Sequence, residues 1–226
     1  MTSWSNVKGI VCDVNGTMFS LQPLGERMQK VGLQESDLQL WFTSVLRDGL
    51  ATGASGSFAP FKDIGVYHLH QMLRKASISG DHNQVVQTIL SGFDDATCMA
   101  DVAPAFKKMH AKGIKISTMT NGSISITKGL LEKAHLEQYV DEMMDITQPK
   151  AWKPSPAAYH FAVKQLKLSP EQVMLVAIHP WDCAGAKEAG LKAAYINRDG
   201  TPYPGFFAQP DAEFTSFENL ADALCK

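Results

Sequence analysis

What this 226-residue chain lacks narrows it first. It has no basic excess: 21 Lys and Arg stand against 23 Asp and Glu, for a formal net charge of −2. A general nucleic-acid binder, which works by neutralising phosphates, is therefore not expected. No apolar run approaches membrane-spanning length, so no membrane partner is expected, and Met1-Thr2-Ser3-Trp4 does not begin a secretion signal. Cysteine is sparse and scattered. Cys12, Cys98, Cys183 and Cys225 include no pair at metal-ligand spacing, which fits a reducing, cytoplasmic setting. Internal repeats and low-complexity segments are absent. What is present is a 45 % hydrophobic composition and enough length to bury a substantial core.

Hydrophobic patterning divides the chain. Val7–Cys12 is an apolar, β-branched run that ends in Asp13, with the turn residue Gly16 and then Thr17 close behind. That pattern predicts a buried strand delivering a carboxylate to the C-terminal edge of a sheet. From about Leu21 to Phe93 the pattern is helical, over Gly25–Val31, Asp37–Ala51, Phe61–Lys75 and Gln84–Phe93, with Gly53–Ser57 as a flexible break. Leu38, Trp41, Phe42, Val45 and Leu46 recur at helical spacing. From Pro104 strands and helices alternate: strands over Ile114–Thr120, Met143–Ile146, Val173–Ile178 and Ala193–Ile196, helices over Pro104–Lys112, Ile124–Ala134, Pro156–Leu166 and Trp181–Ala189. A last helix starts at Ser216, a suitable N-cap. Such alternation implies an α/β fold, a Rossmann-like parallel sheet core with an inserted all-helical cap. The expected division is a core of 1–19 and 102–226 and a cap of 20–101.

Three further strand-end loops carry polar groups. In Thr118–Ser123, Thr120 and Asn121 precede a helix start that favours an anion, although Asn121-Gly122 also reads as a plain turn. In Pro149–Pro156, Lys153 is fixed by a stiff Pro-x-Pro segment. In Val176–Lys187, Asp182 opens a helix, where it could serve only as a cap. A lone lysine or aspartate of this kind says little. The ordered set Asp13, Thr120-Asn121, Lys153 and Asp182 says much more.

This set resembles the four motifs of the haloacid dehalogenase-like superfamily, over nearly the whole chain. The similarity is greatest to the L-2-haloacid dehalogenases: Asn15 stands where the superfamily's phosphatases place a second aspartate, and Trp181-Asp182-Cys183-Ala184-Gly185-Ala186 matches a Trp-Asp-x-x-Gly-Ala motif. The resemblance implies Asp13 as covalent nucleophile, supported by Thr17, Lys153, Asp182 and Thr120 as catalytic residues. It implies Arg47, Asn121 and Trp181 as a halide cradle, Thr120 with main-chain N–H groups on the substrate carboxylate, and Phe61 and Tyr159 at the pocket. Asn15 replaces an aromatic of the family and alters the pocket shape. Two further departures are Ala177 for a serine and His179 for an asparagine. His179 either takes over orientation of water, or acts as a base, or only caps the helix.

The expected reaction is hydrolytic removal of halide from a short 2-haloalkanoic acid through an aspartyl ester. A halide leaves without needing a proton, so Asn15 is tolerable here, whereas a phosphate ester generally needs an acid. No metal and no cofactor are expected: the position four before Asp182 is Ile178, which offers no oxygen to a hard cation. Arg47 carries the halide side of the reading, and a solvent-pointing Arg47 would remove its most specific support. The partner is a small-molecule carboxylate, and the resemblance adds a homodimer as the family's common state. The competing readings are a phosphatase acting on a small phosphate ester, a weakly active member serving as a binding module, and a defluorinating variant of the same displacement.

Overall fold

The computed structural model describes residues 4–226; Met1–Ser3, most of the Met1–Trp4 start, lie outside the described residues. The chain divides into two compact units, one of Met1–Phe19 with Cys98–Lys226 and one of Ser20–Thr97.

The first unit is built on a six-stranded sheet in the order β5-β4-β1-β6-β7-β8, with every neighbouring pair parallel. The strands are β1 (Gly9–Cys12), β4 (Lys115–Thr120), β5 (Glu142–Asp145), β6 (Val173–Ala177), β7 (Lys192–Ile196) and β8 (Ala212–Phe214). Strand β1 lies between β4 and β6, with Cys12 opposite Thr118 on one side and Val176 on the other. A strand covered on both faces has no solvated side, which is why Gly9–Cys12 is buried throughout and reads as a continuous run rather than an alternation. The connecting helices are α5 (Val102–Ala111), α6 (Ile124–Lys133), α7 (Pro156–Leu166), α8 (Pro180–Glu188) and α9 (Phe217–Leu224). Ser216 caps α9, its hydroxyl accepting from the Asn219 N–H at 3.1 Å. The sequence pattern contains no strand between Ile196 and Ser216, yet β8 pairs there. Three edge residues, none of them buried, are too few to show a period of two.

The second unit holds α1 (Gln22–Lys30), α2 (Ser36–Ala54), α3 (Phe61–Lys75), α4 (His82–Leu90) and a 3-10 turn over Ser91–Asp95. Helix α2 runs three residues beyond the expected Ala51, taking in Gly53 and Ala54 of the segment read as a break. On it, Trp41 and Val45 are buried, while Leu38, Phe42 and Leu46 are half-buried. The Trp41 indole N–H donates to the Gly65 carbonyl at 2.9 Å, and Phe61 and Phe93 pack against its ring at 5.9 and 6.1 Å between centroids. A Cβ at Gly65 would lie 3.0 Å from that indole, so the close α2–α3 approach leaves little room for a side chain there. Phe61, expected at the pocket, belongs to this aromatic core.

Two short strands, β2 (Phe19–Ser20) and β3 (Thr97–Cys98), pair where the chain leaves and re-enters the first unit. Residues 98–101 group with that unit rather than with the helices, because the Met99 N–H donates to the Met18 carbonyl at 2.8 Å and the Val102 N–H to Met99.

Candidate active site

Asp13 follows β1, with its backbone N–H donating to the Val176 carbonyl at 3.0 Å. The chain then turns at once through Gly16, whose φ of +78° suits glycine, and a Cβ there would lie 3.2 Å from Ile178. Thr17 is thereby brought back to the carboxylate. Its hydroxyl donates to Asp13 Oδ2 at 2.7 Å while accepting from the Ile178 N–H at 3.2 Å, so one side chain ties the first loop to the fourth.

Lys153 is wholly buried and donates to Asp13 Oδ1 at 2.9 Å and to Asp182 Oδ2 at 2.6 Å. The Tyr159 hydroxyl donates to Asp182 Oδ1 at 2.6 Å. Asp182 is therefore engaged at both oxygens and fully buried. It steadies the lysine. The close packing that permits this is at Gly185, where a Cβ would meet Pro154 at 2.3 Å and the Tyr159 hydroxyl at 2.8 Å.

His179 completes the set. Its Nδ1 lies 3.0 Å from Asp13 Oδ2, and its ring stacks on Trp181 at 5.1 Å and 29°. A carboxylate only accepts, so Nδ1 carries the proton in this contact. His179 does occupy the N-cap position of α8, but its side chain makes no capping bond and is directed to the carboxylate instead. The Tyr203 hydroxyl, which nothing in the sequence pattern marks, donates to the Pro180 carbonyl at 2.9 Å and braces the first turn of α8.

Electrostatics separate the two carboxylates. Burial alone would raise Asp13, but the Lys153 charge, the His179 contact and the Thr17 hydroxyl outweigh it and hold the carboxyl well below the usual range. Burial and the Asp13 charge push Asp182 the other way, above its ordinary value, against the pull of Lys153. Lys153 is disfavoured by burial, yet Asp13 and Asp182 more than offset that and raise it. Asp13 is thus kept ionised, as a nucleophile must be.

The loop after β4 departs from expectation in detail. Asn121 Oδ1 accepts from the Lys153 N–H at 2.9 Å and its Nδ2 donates to the Lys153 carbonyl at 3.4 Å, so this carboxamide first fixes the lysine backbone and has one remaining N–H for a halide. The amides at the start of α6 are also engaged: Gly122 with Thr120 Oγ1 at 2.9 Å, Ile124 with Asp145 Oδ2 at 3.0 Å, and Ser125 with Ser123 Oγ at 3.2 Å. The anion favoured by this helix start is the protein's own Asp145. Thr120 still has its hydroxyl hydrogen to give. Asn15 is buried beside this loop; its Nδ2 lies 3.2 Å from where a Cβ on Gly122 would be.

Arg47 is elsewhere engaged. Its side chain on α2 is 66 % exposed and its Nε donates to Asp48 Oδ1 at 2.7 Å, while Asp48 Oδ2 meets His68 Nε2 at 2.8 Å. The expected role in a halide cradle finds no support in this arrangement, because the guanidinium is directed at its own neighbour. The sequence does print that neighbour as the next residue.

A hard cation would fit poorly at Asp13. Both carboxylate oxygens are taken by Lys153, Thr17 and His179, Ile178 contributes hydrocarbon, and no cluster of three His, Cys, Asp or Glu suited to a metal occurs among the described residues. No helix among the described residues is long and apolar enough to cross a membrane.

Comparison with known proteins gives the family. A family model for haloacid dehalogenase-like hydrolases matches residues 7–190. The chain is 24 % identical over 223 residues to (S)-2-haloacid dehalogenase 4A of Burkholderia cepacia, covering 98 % of this chain and 96 % of that protein. A solved dehalogenase with an intermediate complex superposes with a TM-score of 0.90 at 23 % identity, covering the whole of both chains. The L-2-haloacid dehalogenase of Xanthobacter autotrophicus with chloropropionic acid covalently bound gives 0.86 at 19 % identity, over 96 % of this chain and 97 % of that one. With the strand-end carboxylate, the buried lysine and the order of the four loops all in place, the chain belongs to the haloacid dehalogenase-like hydrolases.

Proposed function

We propose that this protein is a 2-haloacid dehalogenase, a hydrolase of carbon–halide bonds that works through an aspartyl ester without a metal. The observation that carries the reading is Asp13: an ionised carboxylate fixed by Lys153, Thr17 and His179, with Asn15 rather than an acid two residues on. A displaced halide takes the bonding electrons and no proton, so this site is complete for that leaving group and incomplete for an alkoxide. Similarity to several (S)-2-haloacid dehalogenases along nearly the full length supports the same substrate class.

In the first step an Asp13 oxygen forms a bond to C2 of the substrate as the carbon–halogen bond breaks. The second N–H of Asn121 and the Trp181 edge receive the halide, and the Thr120 hydroxyl holds the substrate carboxylate. In the second step water adds to the Asp13 carbonyl carbon. One water proton passes to the other ring nitrogen of His179, whose Nδ1–H faces Asp13, and then to the hydroxy-acid oxygen as the ester bond breaks; the second is released to solvent as Asp13 returns to its carboxylate. Lys153 keeps positive charge beside Asp13 throughout, and Asp182 with Tyr159 keeps Lys153 in place.

The test is halide release from L-2-chloropropionate and monohaloacetates in EDTA, for wild type and Asp13→Asn. EDTA-resistant release that vanishes in the variant is the expected result. Magnesium-dependent hydrolysis of a phosphate ester, with no halide released, would replace this reading with the phosphatase one. Silence in both would leave a binding role.

A further inference from the structure

Asp145 is a buried carboxylate that neither the reaction above nor the motif pattern uses. It is the last residue of β5, opposite Thr120 of β4, and is only 6 % exposed. The bonds it accepts are all from uncharged donors: Oδ2 from the Ile124 N–H at 3.0 Å, Oδ1 from the Thr147 N–H at 2.9 Å and from the Thr147 hydroxyl at 2.5 Å. Burying a carboxylate costs free energy, and the start of α6 with three donors offsets that cost. A serine or asparagine could cap one helix just as well. A carboxylate differs in having two acceptor oxygens, so it can serve two chain segments together.

Those two segments are the ones that carry Asn121 and Lys153. Ile124 opens the helix directly after Asn121. Thr147 begins the loop that leads to Lys153, and this loop is closed on itself by Ala151 N–H to Ile146 carbonyl at 3.2 Å and by Asp145 N–H to Gln148 Oε1 at 3.1 Å. Its far end returns to the first segment, where Lys153 N–H meets Asn121 Oδ1 at 2.9 Å. The result is a closed ring of hydrogen bonds with Asp145 at one end and the Asn121–Lys153 pair at the other. We propose that Asp145 is a positioning residue that sets the register of the Asn121–Lys153 pair, and through it the placement of the lysine on Asp13.

The kinetic arm of the test rests on the dehalogenase reading; the exchange arm does not. Asp145→Asn keeps the shape and one acceptor oxygen, and Thr147→Val removes only the hydroxyl bond while leaving Asp145 itself. For both, kcat and KM for halide release from L-2-chloropropionate are measured, together with amide hydrogen exchange over 120–125 and 146–153. Expected for Asp145→Asn is a fall in kcat of about tenfold with KM nearly unchanged, the scale of a misplaced catalytic group, and a smaller fall for Thr147→Val. Exchange is expected to quicken as far as Asn121 and Lys153, while β6 stays protected. Quickening confined to 145–148, with kcat unchanged, would make Asp145 a local cap and overturn the proposal. If Asp145→Asn does not fold, Thr147→Val decides by the same two readouts. If wild type releases no halide, the dehalogenase reading falls, and the reach of the exchange effect alone supports or overturns the positioning role.

Discussion

Two clusters of basic and carboxylate side chains, a lysine between two aspartates and an aspartate between an arginine and a histidine, occupy the two units with different consequences. In the first unit Lys153 lies between Asp13 and Asp182 with no exposure. In the second, Arg47 and His68 flank Asp48, with two-thirds of the Arg47 side chain in solvent. Solvent screens the second cluster, so losing a member changes little. In the first, removing one partner strands a buried charge. Burial makes the pairing decisive: it disfavours both charges, so the lysine stays charged and the nucleophile ionised only because each holds the other.

The comparison is broken most directly at the nucleophile. Asp13→Asn should lower halide release on the order of a thousandfold or more, while retaining the fold, as checked by circular dichroism. A loss below tenfold would mean that the buried cluster is not where the chemistry occurs. Next is Lys153→Met, which leaves two carboxylates facing each other without their cation. Urea melts should register a loss of about 3–5 kcal/mol, the usual cost of breaking a buried pair. The pH dependence carries a sign. Lys153 is raised above its ordinary 10.5, so its stabilisation is complete below that pH and is lost as pH climbs past it. Asp13 is depressed below its ordinary 3.8, so its share is present above that pH and fades as acid is added. Melting temperatures from pH 9 to 12 should fall more steeply in wild type than in Lys153→Met; parallel curves would deny the lysine this role.

A smaller effect is expected at His179. His179→Ala removes the group assigned to hydrolysis and should slow turnover by about 10²-fold, within the usual range for general bases. Mass spectrometry should then find Asp13 carrying the substrate fragment as an ester through C2; slow turnover with no accumulated adduct would place His179 in the first step instead. Smallest of all is Arg47→Ala, expected to change kcat/KM by less than about tenfold, as befits an exposed pair. A much larger loss would show that Arg47 exchanges Asp48 for the leaving halide, and the contrast between the clusters would narrow.

The four strand-end loops were legible because each pairs an apolar run with a polar residue at a fixed place, and strand-helix alternation is a long-range signal. Asp13, Lys153 and Asp182 meet as that order implies. Other features follow from contacts that no local pattern encodes. Asp145 is one aspartate among many until its three donors are seen, and Tyr203 reaches Pro180 from 23 residues away. Strand β8 is too short to declare itself. Phe61 and Arg47 rest on resemblance alone, and the partners the structure gives them, an aromatic cluster and the adjacent Asp48, are local ones.

Thr17 illustrates how little is needed to give a site a direction. A hydroxyl rotates freely and can offer either a hydrogen or a lone pair to whatever faces it. Here the Ile178 amide can only give, and the Asp13 oxygen can only take, so the rotor has one setting. The nucleophile therefore always faces a donor and never a competing lone pair. Serine could reproduce that wiring, and valine, equal in shape, would cut it.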